Sequence, residues 1–240
     1  MLVTRPEPDA SDTATRLNAL GIEGVVCPLL AFRALAGSLP VADGFAAMAV
    51  TSAQALRALE EKGVLGRYLG LPLYAVGPKT AEAARGLGFA QVHHATGGFR
   101  QLAELLAQAE PAGPILYPAA RDVAGDLARA LAPAGRMVIT AQVYAMESAT
   151  ALPQTVRDEL ESGAISAALF YSRRTAECFV GLAAEWMERP ARRALGVLCL
   201  SEAVAEPLVD AHFVRVGLAE HPSEEAMMRL ALSYLRDHNA

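Results

Sequence analysis

The chain contains two similar halves, and this internal repeat constrains its fold more than any other feature. Leu2-Val-Thr-Arg-Pro is followed by an amphipathic stretch, a glycine and a strand-like run, and Ile115-Leu-Tyr-Pro opens the same succession about 113 residues later. Later elements correspond at offsets of about 120 and 124, as expected when only loops differ in length. A period this long indicates two similar half-chains rather than the short units of a solenoid. Two similar lobes would form a cleft, and clefts between lobes commonly bind small ligands.

Short apolar runs predict ten strands, most of them separated by segments with helical periodicity. The predicted strands are 2–4, 24–32, 46–51, 73–76, 92–94, 115–117, 137–144, 167–171, 195–200 and 213–216. Strands that are apolar throughout and alternate with helices are typical of parallel sheets covered on both faces. The sequence therefore predicts an α/β protein with two Rossmann-like or flavodoxin-like lobes, each built on a five-stranded parallel sheet.

Two stretches, 33–44 and 147–153, interrupt this alternation after the second strand of each repeat. Glycine and proline make them candidate crossings between lobes. With two equivalent crossings, the halves can be swapped between the repeats: residues 1–34 with 150–240 form one lobe and 38–147 the other. Residues 35–37 and 148–149 would then be a two-stranded linker. Two consecutive independent lobes would show the same periodicity, so the sequence permits the swap without requiring it.

Charge and cysteine usage exclude several classes of function. The formal net charge of −5 at pH 7 argues against a nucleic-acid partner. Cys27, Cys178 and Cys199 lack metal-ligand spacing, and His93 and His94 would point to opposite faces of a strand. We therefore expect neither a metal site nor a catalytic triad, and we expect Cys27 and Cys199 to be buried in strands. With no charged leader and no membrane-length apolar run, the sequence predicts a cytoplasmic protein, and with no unassigned apolar helix face, a monomer.

Polar and basic residues recur where the predicted strands end. Parallel sheets bind ligands beyond the carboxyl ends of their strands, where helix N-termini favour carboxylates and phosphates. The candidate binding residues at these ends are Arg5, Thr51, Ser52, Gly77, Thr80, Arg121, Ser172, Arg173 and Ser201. Serine and threonine at helix starts are also ordinary N-caps, and Arg5 and Arg121 could instead form surface ion pairs with Glu7 and Asp122. The recurrence of a hydroxyl and a base at several strand ends favours the interpretation as a site.

Four motifs together resemble uroporphyrinogen-III synthases over nearly the whole chain. They are Leu2-Val-Thr-Arg-Pro, Val50-Thr-Ser-Ala, Tyr74-Ala-Val-Gly-Pro-Lys-Thr-Ala and Ser201-Glu-Ala-Val-Ala. The resemblance implies two α/β lobes with swapped halves and a flexible two-stranded connection. It also implies a reaction without a cofactor, in which linear hydroxymethylbilane is closed to uroporphyrinogen III with loss of water and inversion of ring D, within haem and other tetrapyrrole biosynthesis.

The resemblance also implies how such a site would bind its substrate. Hydroxyls and backbone amides at Thr51, Ser52, Gly77, Thr80, Ser172 and Ser201 would face the cleft and hold the acetate and propionate groups. On charge grounds we add Arg5, Arg121 and Arg173, because an acidic protein needs local positive charge to bind a polycarboxylate. The pyrroles supply the nucleophile, so no catalytic residue is assigned. A transient contact with hydroxymethylbilane synthase, which makes the substrate, is the expected protein partnership.

Two departures from the family pattern leave other functions open. Some members have a tyrosine in the helix after the strand at 167–171, where this chain reads Glu177-Cys-Phe, and Val204 replaces a threonine that many members show. A non-catalytic, two-lobed binding protein is one alternative. The other is an inactive homologue that acts as an assembly partner in the same biosynthesis.

Overall fold

The structure, a computed structural model, describes residues 1–109, 113–123 and 125–238. The chain divides into two compact units, one formed by Met1–Ala31 together with the chain from Glu147 onward, the other by Phe32–Met146. Among the described residues, none of the helices combines the length and the apolarity that crossing a bilayer requires.

Strands and helices alternate along most of the chain. The strands are β1 (Leu2–Val3), β2 (Val25–Val26), β3 (Leu30–Ala34), β4 (Ala47–Val50), β5 (Leu73–Ala75), β6 (Val92–His94), β7 (Ile115–Ala120), β8 (Val138–Ser148), β9 (Ala167–Phe170), β10 (Gly196–Cys199) and β11 (Arg215–Leu218). The helices are α1 (Asp9–Ala19), α2 (Ala53–Glu61), α3 (Pro78–Gly86), α4 (Phe99–Ala107), α5 (Leu127–Leu131), α6 (Gln154–Glu161), α7 (Arg173–Ala184), α8 (Arg189–Ala194), α9 (Glu202–Asp210) and α10 (Glu224–His238). Short 3₁₀ turns occur at Leu65–Tyr68 and Ala132–Ala134.

These strands form two sheets in which most neighbours are parallel. The first has the order β11-β10-β9-β1-β2, and all its pairings are parallel. The second has the order β3-β8-β7-β4-β5-β6, and the pairings from β8 to β6 are parallel. The first sheet therefore combines strands from the beginning and the end of the chain, and the predicted α/β class with parallel sheets is confirmed.

Apolar residues cover both faces of each sheet, which explains why the strands lack polar alternation. In β1, Leu2 packs into one core and Val3 into another on the opposite face. In β10, Val197 and Leu198 divide in the same way. Successive side chains of a strand point to opposite faces, so a strand buried on both sides must be apolar at every position.

The predicted strand 24–32 is wrong as a single element. The structure divides it into β2, which pairs with β1, and β3, which belongs to the other sheet. Pro28 lies between them, and because proline carries no N–H and has a fixed φ, a regular ladder does not continue through it. Beyond it, Leu29 N still donates to Thr4 O at 3.0 Å before the chain enters β3.

As a result, the second sheet has six strands instead of the predicted five. Its additional edge strand β3 runs antiparallel to β8, as shown by the bonds from Leu35 N to Val143 O at 2.8 Å and from Ala149 N to Leu29 O at 2.9 Å. The chain passes from one unit to the other within these two strands. The expected linker crossings at 35–37 and 148–149 fall at their ends, and the role of those residues as a flexible linker stays a prediction.

Candidate functional site

In the first unit, three of the predicted residues follow three neighbouring strands. Ser201 follows β10, Ser172 lies two residues beyond β9, and Arg5 lies two residues beyond β1. The strand order reverses between β9 and β1, because the chain extends to β2 on one side and to β10 and β11 on the other. Open α/β sheets commonly bind ligands at such a switch point. The predicted residues of this unit therefore share one edge of its sheet.

Arg5 lies in an acidic network at this edge. Its Nη1 donates to Glu224 Oε2 at 2.6 Å and to Thr13 Oγ1 at 3.1 Å, and its Nη2 donates to Asp9 Oδ2 at 2.7 Å. The guanidinium also lies over the ring of Tyr171, 4.2 Å from its centroid, where the ring quadrupole attracts a cation. With two carboxylate partners already bound, Arg5 has little capacity left for a carboxylate ligand.

Tyr171 completes this network and keeps its proton. Its hydroxyl donates to Glu224 Oε1 at 3.0 Å. Burial raises the pKa of Tyr171 well above its ordinary value, and the negative charge of Glu224 raises it further. A phenol that is bound in this way is a poor source of protons for a substrate.

Ser172 and Arg173 begin helix α7. Ser172 is its N-cap and accepts a hydrogen bond from Thr175 N at 3.2 Å. Arg173 donates to Glu177 Oε1 at 2.9 Å and also bonds to Glu206 in α9, and these hydrogen bonds raise the pKa of Arg173. The cap is the alternative that the sequence analysis gives for serine at a helix start, whereas nothing in the sequence analysis predicts the ion pairs of Arg173.

Ser201 differs from Ser172, although both precede a helix. It occupies the N-cap position of α9, but its hydroxyl makes no cap bond to the described residues of that helix. It is half-buried, so this hydroxyl is accessible at the edge of the sheet. Val204, one turn later, is 6% exposed and packs into the core, which explains why this position is apolar.

The second unit repeats this arrangement at its own sheet. Arg121 follows β7, Thr51 follows β4, and Gly77 lies two residues beyond β5. These strands are neighbours, and the order reverses between β7 and β4. The predicted residues of this unit therefore also surround a switch point.

Four hydroxyls meet at the switch point of the second unit, and we call them the hydroxyl cluster: Thr51, Ser52, Tyr117 and Tyr144. Thr51 Oγ1 lies 3.1 Å from the Tyr117 hydroxyl. Ser52 caps α2 by accepting from Gln54 N at 3.2 Å. Burial raises the pKa of Tyr144, whereas a hydrogen bond with Ser52 acts to lower it. Both tyrosines are buried, so the two smaller residues are the exposed side of the cluster.

Gly77, Thr80 and Arg121 complete the predicted set. Gly77 precedes α3 with extended backbone, and a Cβ at this position would meet no atom of the described residues within 4 Å, so the space beside the helix start is open. Thr80 is 8% exposed and offers little surface to a ligand. The ion-pair partner of Arg121 is Asp122, at 3.7 Å, and both side chains are about half exposed. An exposed pair at this distance contributes little, so Arg121 is the least engaged of the three predicted arginines.

Sequence reasoning missed four polar residues of these two edges: Thr13, Tyr117, Tyr144 and Glu224. One signal was present for Tyr117, because a tyrosine inside an apolar strand needs a hydrogen-bond partner for its hydroxyl. No local signal links Glu224 with a residue 219 positions earlier in the chain.

Phe179 and Cys178, in the middle of helix α7, make packing and backbone contacts. Phe179 is buried between Phe170 and Phe213, with ring centroids 5.2 and 5.8 Å away. The Cys178 thiol, 3.4 Å from Leu29 O, donates to this backbone carbonyl. Across the part of the chain that the structure describes, no group of three histidine, cysteine or acidic side chains is placed to hold a metal ion.

Comparison with known families identifies the family of this chain. The family model described as uroporphyrinogen-III synthase HemD matches residues 11–229. The chain belongs to the uroporphyrinogen-III synthase family. The resemblance seen in the sequence motifs is thereby confirmed, and so is the expected enzyme class, a cyclising lyase of tetrapyrrole biosynthesis. A search of curated proteins found no match.

Solved structures of uroporphyrinogen-III synthases share the fold. The uroporphyrinogen-III synthetase of Helicobacter pylori 26695 is 21% identical, with a TM-score of 0.69 over 97% of this chain and 98% of that one. A mutant uroporphyrinogen III synthase from the extremely thermophilic bacterium Thermus thermophilus is 19% identical, with a TM-score of 0.57 over 98% and 97% of the two chains. At this identity the likeness concerns the architecture, so the roles of individual residues must rest on their own geometry.

Proposed function

We propose that this protein closes hydroxymethylbilane to uroporphyrinogen III, with loss of water and inversion of ring D. The observation that carries the proposal is the match of the synthase family model over residues 11–229. Two sheet edges lined with hydroxyls and arginines are consistent with a polycarboxylate substrate. The non-catalytic alternatives have no comparable support.

The substrate's acetate and propionate groups would bind at the carboxyl ends of the strands. Helices α2, α3, α7 and α9 begin there, and each N-terminus presents backbone N–H groups and the positive end of a helix dipole. Thr51 and Ser201 add hydroxyls that the helix caps do not use. Because Arg5 and Arg173 are engaged by carboxylates of the protein, Arg121 is the arginine best placed to add charge.

The protein's contribution to the reaction would be orientation. The free substrate cyclises spontaneously to isomer I, so the enzyme must stabilise a transition state that the free reaction does not favour. Holding a long, flexible molecule by several of its carboxylates fixes the folded shape in which ring D closes inverted. The electron-rich pyrroles supply the nucleophile, and no side chain needs to form a covalent bond.

We also infer that the enzyme works as a cytoplasmic monomer in transient contact with hydroxymethylbilane synthase. An intermediate that cyclises on its own favours a short path between the two enzymes. Light scattering would give the mass of the isolated protein against the 25.3 kDa of one chain. Contact with the preceding enzyme predicts less isomer I when both proteins are present together than when hydroxymethylbilane is added from a separate reaction.

An isomer assay tests the proposed reaction directly. Hydroxymethylbilane is generated from porphobilinogen with its own synthase, the protein is added, and the oxidised uroporphyrin isomers are separated by chromatography. A shift from isomer I to isomer III that scales with protein concentration is the expected result. A heat-denatured sample is the control and should give isomer I alone. Isomer I alone from the folded protein would refute the reaction and favour a binding or assembly role.

A further inference from the structure

Tyr117 carries a hydroxyl that packing alone does not require. It lies in β7, is 2% exposed, and packs into the core on one face of the second sheet. A phenylalanine would fill the same volume without a polar atom to satisfy. The hydroxyl of Tyr117 instead extends to Thr51, the first residue after the neighbouring strand β4, with an oxygen–oxygen distance of 3.1 Å.

Either hydroxyl could donate in this pair, and the surroundings of Tyr117 favour one direction. Among the described residues, Thr51 is the hydrogen-bond partner of the Tyr117 hydroxyl. A buried O–H that does not donate carries a desolvation cost without compensation. Tyr117 therefore donates and Thr51 Oγ1 accepts, which leaves the hydrogen of Thr51 available for another acceptor.

Thr51 can donate this hydrogen to a group at the edge of the sheet. Its side chain is half-buried, and it precedes the N-cap residue Ser52 without serving as the cap itself. A hydroxyl that accepts one hydrogen bond also becomes a better donor, because hydrogen bonds in a chain polarise one another. The Thr51 hydroxyl is thus prepared to donate to a carboxylate at the switch point.

We propose that Tyr117 is a positioning residue that holds Thr51 as a hydrogen-bond donor to one carboxylate of the substrate. The inference rests on the proposed function and adds a specific contact to it. It requires no proton transfer, because Tyr117 acts only through the orientation of Thr51. Thr51 is only half-buried, so the contact should contribute about as much as an ordinary hydrogen bond, and its loss should weaken substrate binding by about five- to tenfold.

The experiment measures isomer III formation against hydroxymethylbilane concentration, with spontaneous isomer I subtracted. Tyr117→Phe should raise KM about fivefold to tenfold and change kcat by less than about twofold. Thr51→Val should likewise raise KM with little change in kcat, and Thr51→Ser, which restores the hydroxyl, should recover most of the affinity that Thr51→Val loses. The double variant of Tyr117→Phe and Thr51→Val should be no worse than Thr51→Val alone, because both changes remove one contact.

Tyr68→Phe is the matched control in the same unit. Tyr68 is also buried, and its hydroxyl donates to Pro40 O at 2.6 Å, away from the predicted binding residues. It should lower the melting temperature about as much as Tyr117→Phe while leaving KM unchanged. If Tyr117→Phe does not fold, Tyr117→Met, which also lacks the hydroxyl, is measured in its place.

Three outcomes separate the inference from the proposed function. A KM for Tyr117→Phe that rises no more than that of Tyr68→Phe would overturn the positioning role. Independent, multiplying effects of Tyr117→Phe and Thr51→Val would do the same. A wild-type protein that forms no isomer III would instead refute the proposed function.

Discussion

Arg5 and Glu224 form an ion pair across 219 positions of the chain, with 2.6 Å between Nη1 and Oε2. The two side chains are 17% and 21% exposed. Glu224 also accepts hydrogen bonds from Tyr171 and Thr13, so one carboxylate serves three donors. Glu224 is the first residue of α10, and its carboxylate therefore links this helix to the residues that follow β1 and β9. Such a partly buried network is stabilising as long as every member keeps its partner.

We expect Glu224→Ala to lower the free energy of unfolding by about 2 kcal/mol, because it leaves Arg5 and Tyr171 without their shared acceptor. Glu225→Ala, one residue later, is the matched control. Glu225 forms an exposed pair with Arg229 within the same helix, and its removal should cost less than about 0.5 kcal/mol. Urea unfolding at pH 7 measures both, and equal losses would contradict a special role for the network.

Arg121 should matter more for substrate binding than Arg173. Arg173 is engaged by Glu177 and Glu206, whereas the ion pair of Arg121 with Asp122 is longer, at 3.7 Å, and exposed. Arg121→Ala should raise KM for hydroxymethylbilane about tenfold through loss of a charge-assisted contact. Arg173→Ala should raise it less than about threefold. The reverse order in the steady-state isomer assay would show that ligand binding breaks the ion pairs of Arg173.

Gly196 should not tolerate a side chain, because the Tyr234 ring occupies the space. A Cβ at Gly196 would lie 2.3 Å from carbons of that ring, and the Tyr234 hydroxyl donates to Ser166 O at 2.9 Å. Gly196→Ala should therefore destabilise the protein by about 1–3 kcal/mol through overpacking. Gly181→Ala, exposed in helix α7 with no described atom within 4 Å, should stabilise it by about 0.5–1 kcal/mol. Thermal unfolding of the two variants should give shifts of opposite sign.

Cys199 should make stability decrease at alkaline pH. Burial raises its pKa to about 12, while the unfolded chain has an ordinary thiol pKa near 9. Between these values the unfolded state loses the thiol proton and the native state keeps it, so the free energy of unfolding falls as pH rises. The stability advantage of wild type over Cys199→Ala should therefore be constant below about pH 8 and narrow above about pH 9.

Val197→Ala is the control for this titration, since Val197 is a buried residue of the same strand without an ionisable group. The difference in the free energy of unfolding between wild type and Val197→Ala should stay constant over the same range of pH. Chemical unfolding at several pH values between about 7 and about 10.5 would measure both differences. A constant difference for Cys199→Ala as well would show that its thiol ionises alike in both states.

Much of the local structure could be predicted from the sequence, because it depends on short-range periodicity and residue chemistry. The apolar runs located the parallel strands, with β2 merged into one run with β3, and the alternative role of serine as a helix N-cap holds for Ser52 and Ser172. Cys27 and Cys199 are buried as expected. The prediction of strand 24–32 was wrong because an apolar run reveals burial but does not show to which sheet its two ends pair. Pro28 was the only local sign of the division.

The tertiary structure determined which side chains form hydrogen bonds and ion pairs at the two sheet edges. The sequence indicated hydroxyls and bases at the strand ends, and it correctly led to the uroporphyrinogen-III synthase family. It did not show that Glu224 binds Arg5 or that Tyr117 reaches Thr51. Periodicity acts over a few residues and determines which side of an element is buried. Hydrogen bonds and ion pairs depend on positions within about 3 Å, which exist only after distant segments have folded beside one another. The sequence alone thus determined the class of fold and the family, and the packing of the sheets decided which polar groups at the strand ends are engaged by other residues and which are not.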